Sequence, residues 1–109
     1  MKQIYELHAE ICKTLANPKR IEIINTLRDK EMSVSELLAK IKLKKANLSQ
    51  HLSLMRAKGI VKTRRDGTSI YYRIANPKVV KACDIMREVL LGQLSESNKT
   101  INKLERMKP

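Results

Sequence analysis

Apolar residues recur at helical spacing along much of the chain, and each such segment predicts a helix. The first helix, at about residues 3–15, has one apolar face formed by Ile4, Leu7, Ile11 and Leu15. Asparagine is a good N-cap and proline suits the first helical position, so Asn17 and Pro18 predict the start of a second helix. This helix is expected to end near residues 29–30, and its predicted buried face consists of Ile21, Ile24 and Leu27, with Ile23 alongside.

A helix-turn-helix is predicted at about residues 33–58. Ser33 and Glu36 have the spacing of a capping box, which begins a short third helix that runs to about Ile41. Only residues 42–44 separate this helix from a fourth helical segment. So short a connection fixes two helices at a steep angle, as in a helix-turn-helix.

The fourth helix has one apolar and one polar face, and its apolar stripe is formed by Leu48, Leu52 and Met55. Its start is open, near Lys44 or a few residues later. The polar face carries side chains that can hydrogen-bond to base edges, namely Asn47, Ser49, Gln50 and Ser53. Lys44 and Lys45 are placed for phosphates, and His51 is either a phosphate contact or part of the packing. The pattern predicts a recognition helix, with an ordinary solvated helix face as the alternative.

Two β-branched and aromatic runs flank Asp66-Gly67 and predict a β-hairpin at about residues 60–74. With these two residues in the turn, Val61 would face Tyr72 and Thr63 would face Ile70. One face of the hairpin would then pack, and the other would be basic. The tip carries side chains that suit a wing contacting phosphates or a minor groove: Arg64, Arg65 and Thr68.

A long last helix is predicted at about residues 77–104, after Asn76-Pro77 repeats the earlier cap-plus-proline start. Gly92 and the polar residues 95–100 weaken its last third. Its apolar stripe includes Val79, Cys83, Met86, Leu90, Leu94, Ile101 and Leu104. A helix of this length in so small a chain cannot bury its stripe alone, so the first and last helices are expected to form a homodimer interface.

The chain is predicted to form a single domain, residues 1–109. Its charge and composition indicate which class of molecule it binds. Lys and Arg total 23 against 11 Asp and Glu, a formal charge of +12, which favours a polyanionic partner. The only aromatic residues are three tyrosines, too few for the stacking platform of a single-strand binder, so duplex DNA is favoured. No apolar run has the length of a membrane span and no signal peptide is recognisable, so we expect a cytoplasmic protein without membrane contact.

The order of these elements resembles the ArsR/SmtB family of winged helix-turn-helix transcriptional repressors. The matching segments are LANPKRI from residue 15, SVSEL from 33, LSQHL from 48, KGIV from 58 and IYYRI from 70. The resemblance covers about residues 4–94. It implies a mainly α fold with a β-hairpin wing, in the order α-α-α-α-β-β-α. It also implies a dimer whose two recognition helices enter successive major grooves of a palindromic operator.

The resemblance carries over no sensory site. Ser33-Val-Ser35 stands where thiophilic-metal sensors have Cys-x-Cys, and the last helix lacks histidine, which zinc sensors have there. The positions that match the two cysteines of persulfide sensors are Asn25 and Leu91.

Cys12 and Cys83 lie on the two predicted dimer helices, with His8 one turn before Cys12. The two thiols could approach each other if those helices pack together. They are then a candidate sensor, by oxidation, persulfide bridging or a soft metal ion that His8 could also bind. Lys13 and Arg87 would favour thiolates, whereas burial among apolar residues would make both cysteines inert core residues.

These observations predict a sequence-specific regulator that represses by binding duplex DNA and is released by a thiol-reactive or redox signal at Cys12 and Cys83. The same regulator without a cysteine sensor and a non-specific architectural DNA-binding protein are the alternatives. A winged helix that binds another protein is a third. An enzyme is not expected, because the chain has no glycine-rich phosphate loop and no evident pairing of nucleophile and base.

Overall fold

The computed structural model describes residues 3–107. In this range the chain forms five helices and three strands. In chain order they are α1 (Ile4–Leu15), α2 (Pro18–Leu27), β1 (Met32–Ser33), α3 (Val34–Leu38), α4 (Lys45–Ala57), β2 (Val61–Asp66), β3 (Ser69–Ile74) and α5 (Lys78–Arg106). The predicted mainly α fold with a β wing is confirmed, with one additional strand, β1.

Two helix starts follow from side-chain caps that the sequence predicted, and at a third, that of α5, the predicted Asn76 bonds from one residue before the N-cap position Pro77. The Asn17 Oδ1 atom accepts hydrogen bonds from the amides of Lys19 and Arg20, at 3.0 and 3.2 Å, and α2 begins at Pro18. Ser33 and Glu36 form the predicted capping box, with distances of 3.1 and 3.2 Å. The Asn76 side chain accepts from the amide of the first residue of α5 at 3.0 Å. These caps satisfy amides that a helix N-terminus leaves without partners.

Several helix ends differ from the predictions. The second helix ends at Leu27, before residues 29–30, because Arg28 has a φ of 44°, outside the helical range. The third ends at Leu38 rather than near Ile41, since the amides of residues 40 and 41 both bond to the Leu37 carbonyl and close a turn. The fourth begins at Lys45, which decides between the two starts that the sequence left open. The last continues to Arg106, so its polar third is helical.

The sheet has three antiparallel strands in the order β1-β3-β2. Its first strand, β1, was not predicted. It pairs Met32 with Tyr72 and Ser33 with Tyr71, which ties the start of the helix-turn-helix to the wing. Two residues are too few to show a strand periodicity, so only the tertiary pairing defines this strand.

The predicted hairpin register is wrong by two residues. Asp66 pairs with Ser69, so Gly67 and Thr68 form the turn, and Val61 pairs with Ile74 rather than with Tyr72. Gly67 has a φ of 62° at the first central position, which a type II′ turn requires, whereas an Asp66-Gly67 turn of type I′ would need a positive φ at Asp66 as well. A shift of two leaves each side chain on its face, so the predicted packed and basic faces are retained.

The core lies between α2, the helix-turn-helix and the sheet. Its fully buried side chains include the predicted stripe of the fourth helix, Leu48, Leu52 and Met55. Ile23, Ile24 and Leu27 are buried as well, but Ile21 is 36% exposed, so its predicted core position is wrong. At about 100° per residue, Ile21 lies on the flank of the stripe that Ile24 and Leu27 form.

The apolar faces of α1 and α5 are largely uncovered in the single chain. In α1, Ile4 is 71% and Leu7 is 44% exposed. In α5, Leu90 is 51% and Leu104 is 58% exposed, and no residue of this 29-residue helix is buried. None of the described helices combines the length and hydropathy of a membrane-crossing segment.

Candidate nucleic-acid interface

The polar face of α4 is presented to solvent because the opposite side of the helix is anchored in the core. Leu48, Leu52 and Met55 each have 0% relative exposure. On a helix, Gln50 lies opposite this stripe, and Asn47 and Ser53 flank it. The exposed residues of this face are Lys44, Lys45, Asn47, Gln50 and Ser53, whereas Ser49 and His51 are partly buried. Amide and hydroxyl groups on such a face can donate to and accept from base edges in a major groove.

The His51 imidazole is hydrogen-bonded to Arg20, a residue that no sequence motif indicated as functional. Arg20 Nε donates to His51 Nδ1 at 3.1 Å, and Arg20 Nη1 donates to the Thr14 carbonyl at 3.2 Å. Partial burial, and then the positive charge of Arg20, lowers the pKa of His51 from its ordinary value of 6.5. Both effects favour the neutral form of the imidazole, and the His51 side chain is partly buried. No local pattern indicates this contact, because its partners are 31 residues apart.

The wing places its two arginines in different environments. Arg65 and Thr68 are exposed at the tip. Arg64 donates from Nε and Nη2 to Glu31 Oε1, at 2.9 and 2.7 Å, and its guanidinium lies 4.9 Å from the centre of the Tyr71 ring. The hydrogen bond from Arg64 lowers the pKa of Glu31, which keeps that carboxylate charged. Glu31 is thus a second functional neighbour without a sequence signal, and it partly neutralises Arg64.

Cys12 and Cys83, the two thiols that the sequence singled out, both line one apolar groove between α1, α2 and α5. The groove has a volume of about 510 Å³ and is lined by Cys12, Leu15, Ala16, Ile21, Ala82, Cys83, Met86, Arg87 and Leu90. Cys12 is exposed and Cys83 is partly buried. Burial raises the pKa of the Cys83 thiol more than nearby Arg87 lowers it. Of the two influences that the sequence left open at Cys83, burial therefore outweighs the charge of Arg87 and favours the protonated thiol.

A three-ligand metal site at Cys12, Cys83 and His8 does not form within one chain. His8 is exposed on α1, and residues 3–107 contain no cluster of three or more His, Cys, Asp or Glu side chains that could hold a metal ion. Arg87 is paired with Asp84 at 3.2 Å, and Asp84 also accepts from Arg28 of the α2 end at 3.0 Å. The residues around the groove therefore offer thiols, apolar walls and an ion-pair network.

A helix-turn-helix followed by a β wing, with a polar face on the second helix, defines a winged helix-turn-helix fold. The family described as "Bacterial regulatory protein, arsR family" matches residues 17–63. The chain is 43% identical over 94 residues to the HTH-type transcriptional regulator Rv0081 of Mycobacterium tuberculosis, covering 85% of this chain and 82% of the relative. The chain therefore belongs to the ArsR family, and it is a DNA-binding transcriptional regulator rather than an enzyme.

Solved structures of relatives share the fold. The crystal structure of Rv0081 superposes with a TM-score of 0.79 at 41% identity, covering 89% of this chain and 98% of that chain. The homodimeric winged helix-turn-helix DNA-binding domain of Mb0332 from Mycobacterium bovis gives a TM-score of 0.72 at 29% identity, covering 80% and 81%. The transcriptional repressor PagR of Bacillus anthracis gives 0.67 at 40% identity, covering 75% and 94%.

Proposed function

We propose that this regulator is a dimeric repressor that binds a palindromic operator and is released by a thiol-reactive or redox signal. The observation that carries the DNA-binding part is the anchoring of α4, whose apolar side is fully buried while Gln50, Asn47 and Ser53 face solvent. We assign base discrimination to these residues and to Ser49. Because a regulator of this kind acts where the chromosome is, we place the protein in the cytoplasm.

Phosphate contacts are assigned to basic and hydroxyl side chains that border this face. Lys44 and Lys45 stand at the start of α4, and Arg65 and Thr68 at the wing tip, all exposed. Arg64 is ranked below Arg65, because a phosphate must compete with Glu31 for its guanidinium. His51 contributes as a neutral group held by Arg20 rather than as a cation.

A homodimer is proposed through the uncovered faces of α1 and α5. Their exposed apolar side chains include Ile4, Leu7, Leu90 and Leu94, and burying such side chains against a second copy stabilises association. The related DNA-binding domain of Mb0332 from Mycobacterium bovis is homodimeric. A two-fold dimer presents two copies of α4 to successive major grooves and so favours a palindromic site.

The switch is assigned to Cys12 and Cys83, because both lie in one groove where the proposed dimer helices meet. Exposed Cys12 is the thiol that reacts first, and Cys83, which lines the same groove, is the partner that attacks the modified sulfur. Because burial raises the pKa of Cys83, this second step is the slower one. An oxidant that takes two electrons and two protons from the pair would join α1 to α5. That linkage would change the angle between the subunits and hence the spacing of the two recognition helices. A coupling of about 1–3 kcal/mol would suffice to release the operator.

Operator binding by wild type and Cys83→Ser tests the proposal, each protein reduced, treated with peroxide or polysulfide, and titrated with cadmium. We expect wild type to prefer its palindrome over random duplex by several kcal/mol and to lose that affinity on treatment. Equal affinity for every duplex would show an architectural protein. A wild type that no treatment affects would show a regulator without a cysteine sensor, and a full response by Cys83→Ser would exclude the pair as the switch.

A further inference from the structure

One arginine contacts both the end of α1 and the recognition helix. Arg20 lies in the first turn of α2, where its amide donates to the Asn17 cap. Its Nη1 donates to the Thr14 carbonyl in the last turn of α1, and its Nε donates to His51 Nδ1 in α4. Thr14 is only 4% exposed, so this contact lies in a packed part of the domain. A single planar guanidinium thus joins three helices.

The hydrogen bond from Arg20 determines the protonation and the tautomer of the His51 imidazole. A guanidinium has donors and no acceptor, so His51 Nδ1 must accept with its lone pair. The ring is then neutral and its proton lies on Nε2, an arrangement with which the lowered pKa of His51 agrees. His51 lies between Gln50, which faces solvent, and Leu52, which is fully buried. A rotation of α4 about its axis would therefore move the His51 ring away from Arg20.

The hydrogen bond from Arg20 to the Thr14 carbonyl lies beside the groove that Cys12 and Cys83 line. The Thr14 carbonyl is two residues beyond Cys12, and the next two residues, Leu15 and Ala16, line the groove together with Cys83. A movement of the end of α1 that accompanies a reaction of Cys12 must stretch or redirect the bond from Arg20. The same guanidinium holds the recognition helix.

We propose that Arg20 is a positioning residue for DNA binding: through His51, it holds the recognition helix in a fixed orientation relative to α1. Through the same hydrogen bonds, Arg20 transmits changes in the Cys12–Cys83 groove to the recognition helix. The transmission rests on the thiol switch of the proposed function, whereas the positioning rests only on the hydrogen bonds. Lysine cannot replace arginine here, because a single ammonium on a flexible stem lacks the rigid fork that reaches both acceptors.

The positioning is tested on Arg20→Lys, which keeps the charge, and on His51→Ala and His51→Asn. Asparagine can present an acceptor where Nδ1 lies, so it is the rescue variant. Lys19→Ala, at the neighbouring position, whose side chain is 41% exposed and pairs with Glu22, is the matched control. We expect about tenfold weaker operator binding for Arg20→Lys and His51→Ala, with no further loss when the two are combined. His51→Asn and Lys19→Ala are expected to remain close to wild type.

Nitrogen NMR of the His51 ring gives a readout that a general loss of stability would not change. In the wild type, Nδ1 is expected to be unprotonated and Nε2 protonated, and Arg20→Lys is expected to give a mixture of tautomers in a folded protein. A protonated Nδ1 in the wild type, or an additive loss in the double variant, would overturn the positioning.

The transmission is tested by treating wild type and Arg20→Lys with the same oxidant and measuring operator affinity. We expect the wild type to weaken on treatment and Arg20→Lys to change little further. A full response in Arg20→Lys would overturn the transmission and leave the thiol switch intact. If oxidant treatment leaves the operator affinity of the wild type unchanged, both the thiol switch and the transmission are overturned. The role of Arg20 in positioning the recognition helix would then be decided by the NMR and double-variant results alone.

Discussion

Arg65→Ala is expected to flatten the salt dependence of DNA binding, because Arg65 is exposed at the wing tip while neighbouring Arg64 is held by Glu31. Each phosphate contact contributes about 0.9 to the slope of log affinity against log salt. Loss of one contact in each subunit of a dimer therefore lowers the slope by about 1.8. Over a fourfold rise in salt, from about 50 to about 200 mM, the affinity of the variant should fall about tenfold less than that of the wild type.

The measurement is a salt titration of binding to the operator and to a random duplex by fluorescence anisotropy. The matched control is the double variant Glu31→Gln, Arg64→Ala, which removes the wing ion pair without changing the net charge. Because the pair is already neutral overall, we expect this control to keep the wild-type slope. The reasoning is refuted if the control flattens the slope as much as Arg65→Ala does, since Arg64 would then be the phosphate contact.

Leu90→Lys places an unpaired charge on the uncovered α5 face and should yield monomers in analytical ultracentrifugation, and a variant that stays dimeric would contradict the proposed interface. Leu52→Ala empties a site with 0% exposure and should cost about 2–5 kcal/mol of unfolding free energy in urea, so a near-neutral result would show that the core does not anchor α4. The folded state lowers the pKa of His51 below 6.5, so the unfolded state binds more protons as the pH falls through that value. Wild type should therefore lose more thermal stability than His51→Asn between about pH 7 and about pH 5.5, and equal losses would contradict the assigned cause.

Features that depend on neighbours within a few residues could be predicted from the sequence. Asn17 caps α2 and Ser33 pairs with Glu36, because such bonds join a side chain to amides two or three residues away. The buried stripe of α4 follows from helical periodicity in the same way. The faces of the hairpin were also correct, since they depend only on the alternation of side chains along a strand.

The hairpin register shows where local information is insufficient. Asp66-Gly67 and Gly67-Thr68 are both plausible turns by composition, and both leave the same residues on each face. The structure uses Gly67 at the first central position and pairs Asp66 with Ser69. The alternation of side chains does not distinguish registers that differ by two residues, so the turn geometry at Gly67 and the pairing in the folded sheet decide between them.

The sequence by itself determined the order of the five helices and the two hairpin strands, the buried and polar faces of α4 and the choice of Cys12 and Cys83 as candidates, because each follows from periodicity, caps or the small number of cysteines. Only the tertiary structure decided what surrounds those groups. It places Arg20 against His51 and Glu31 against Arg64, across 31 and 33 residues of chain, and it raises the pKa of Cys83 by burial. Hydrogen bonding and desolvation depend on which atoms the folded chain brings within a few ångströms, and no spacing along the sequence encodes that distance.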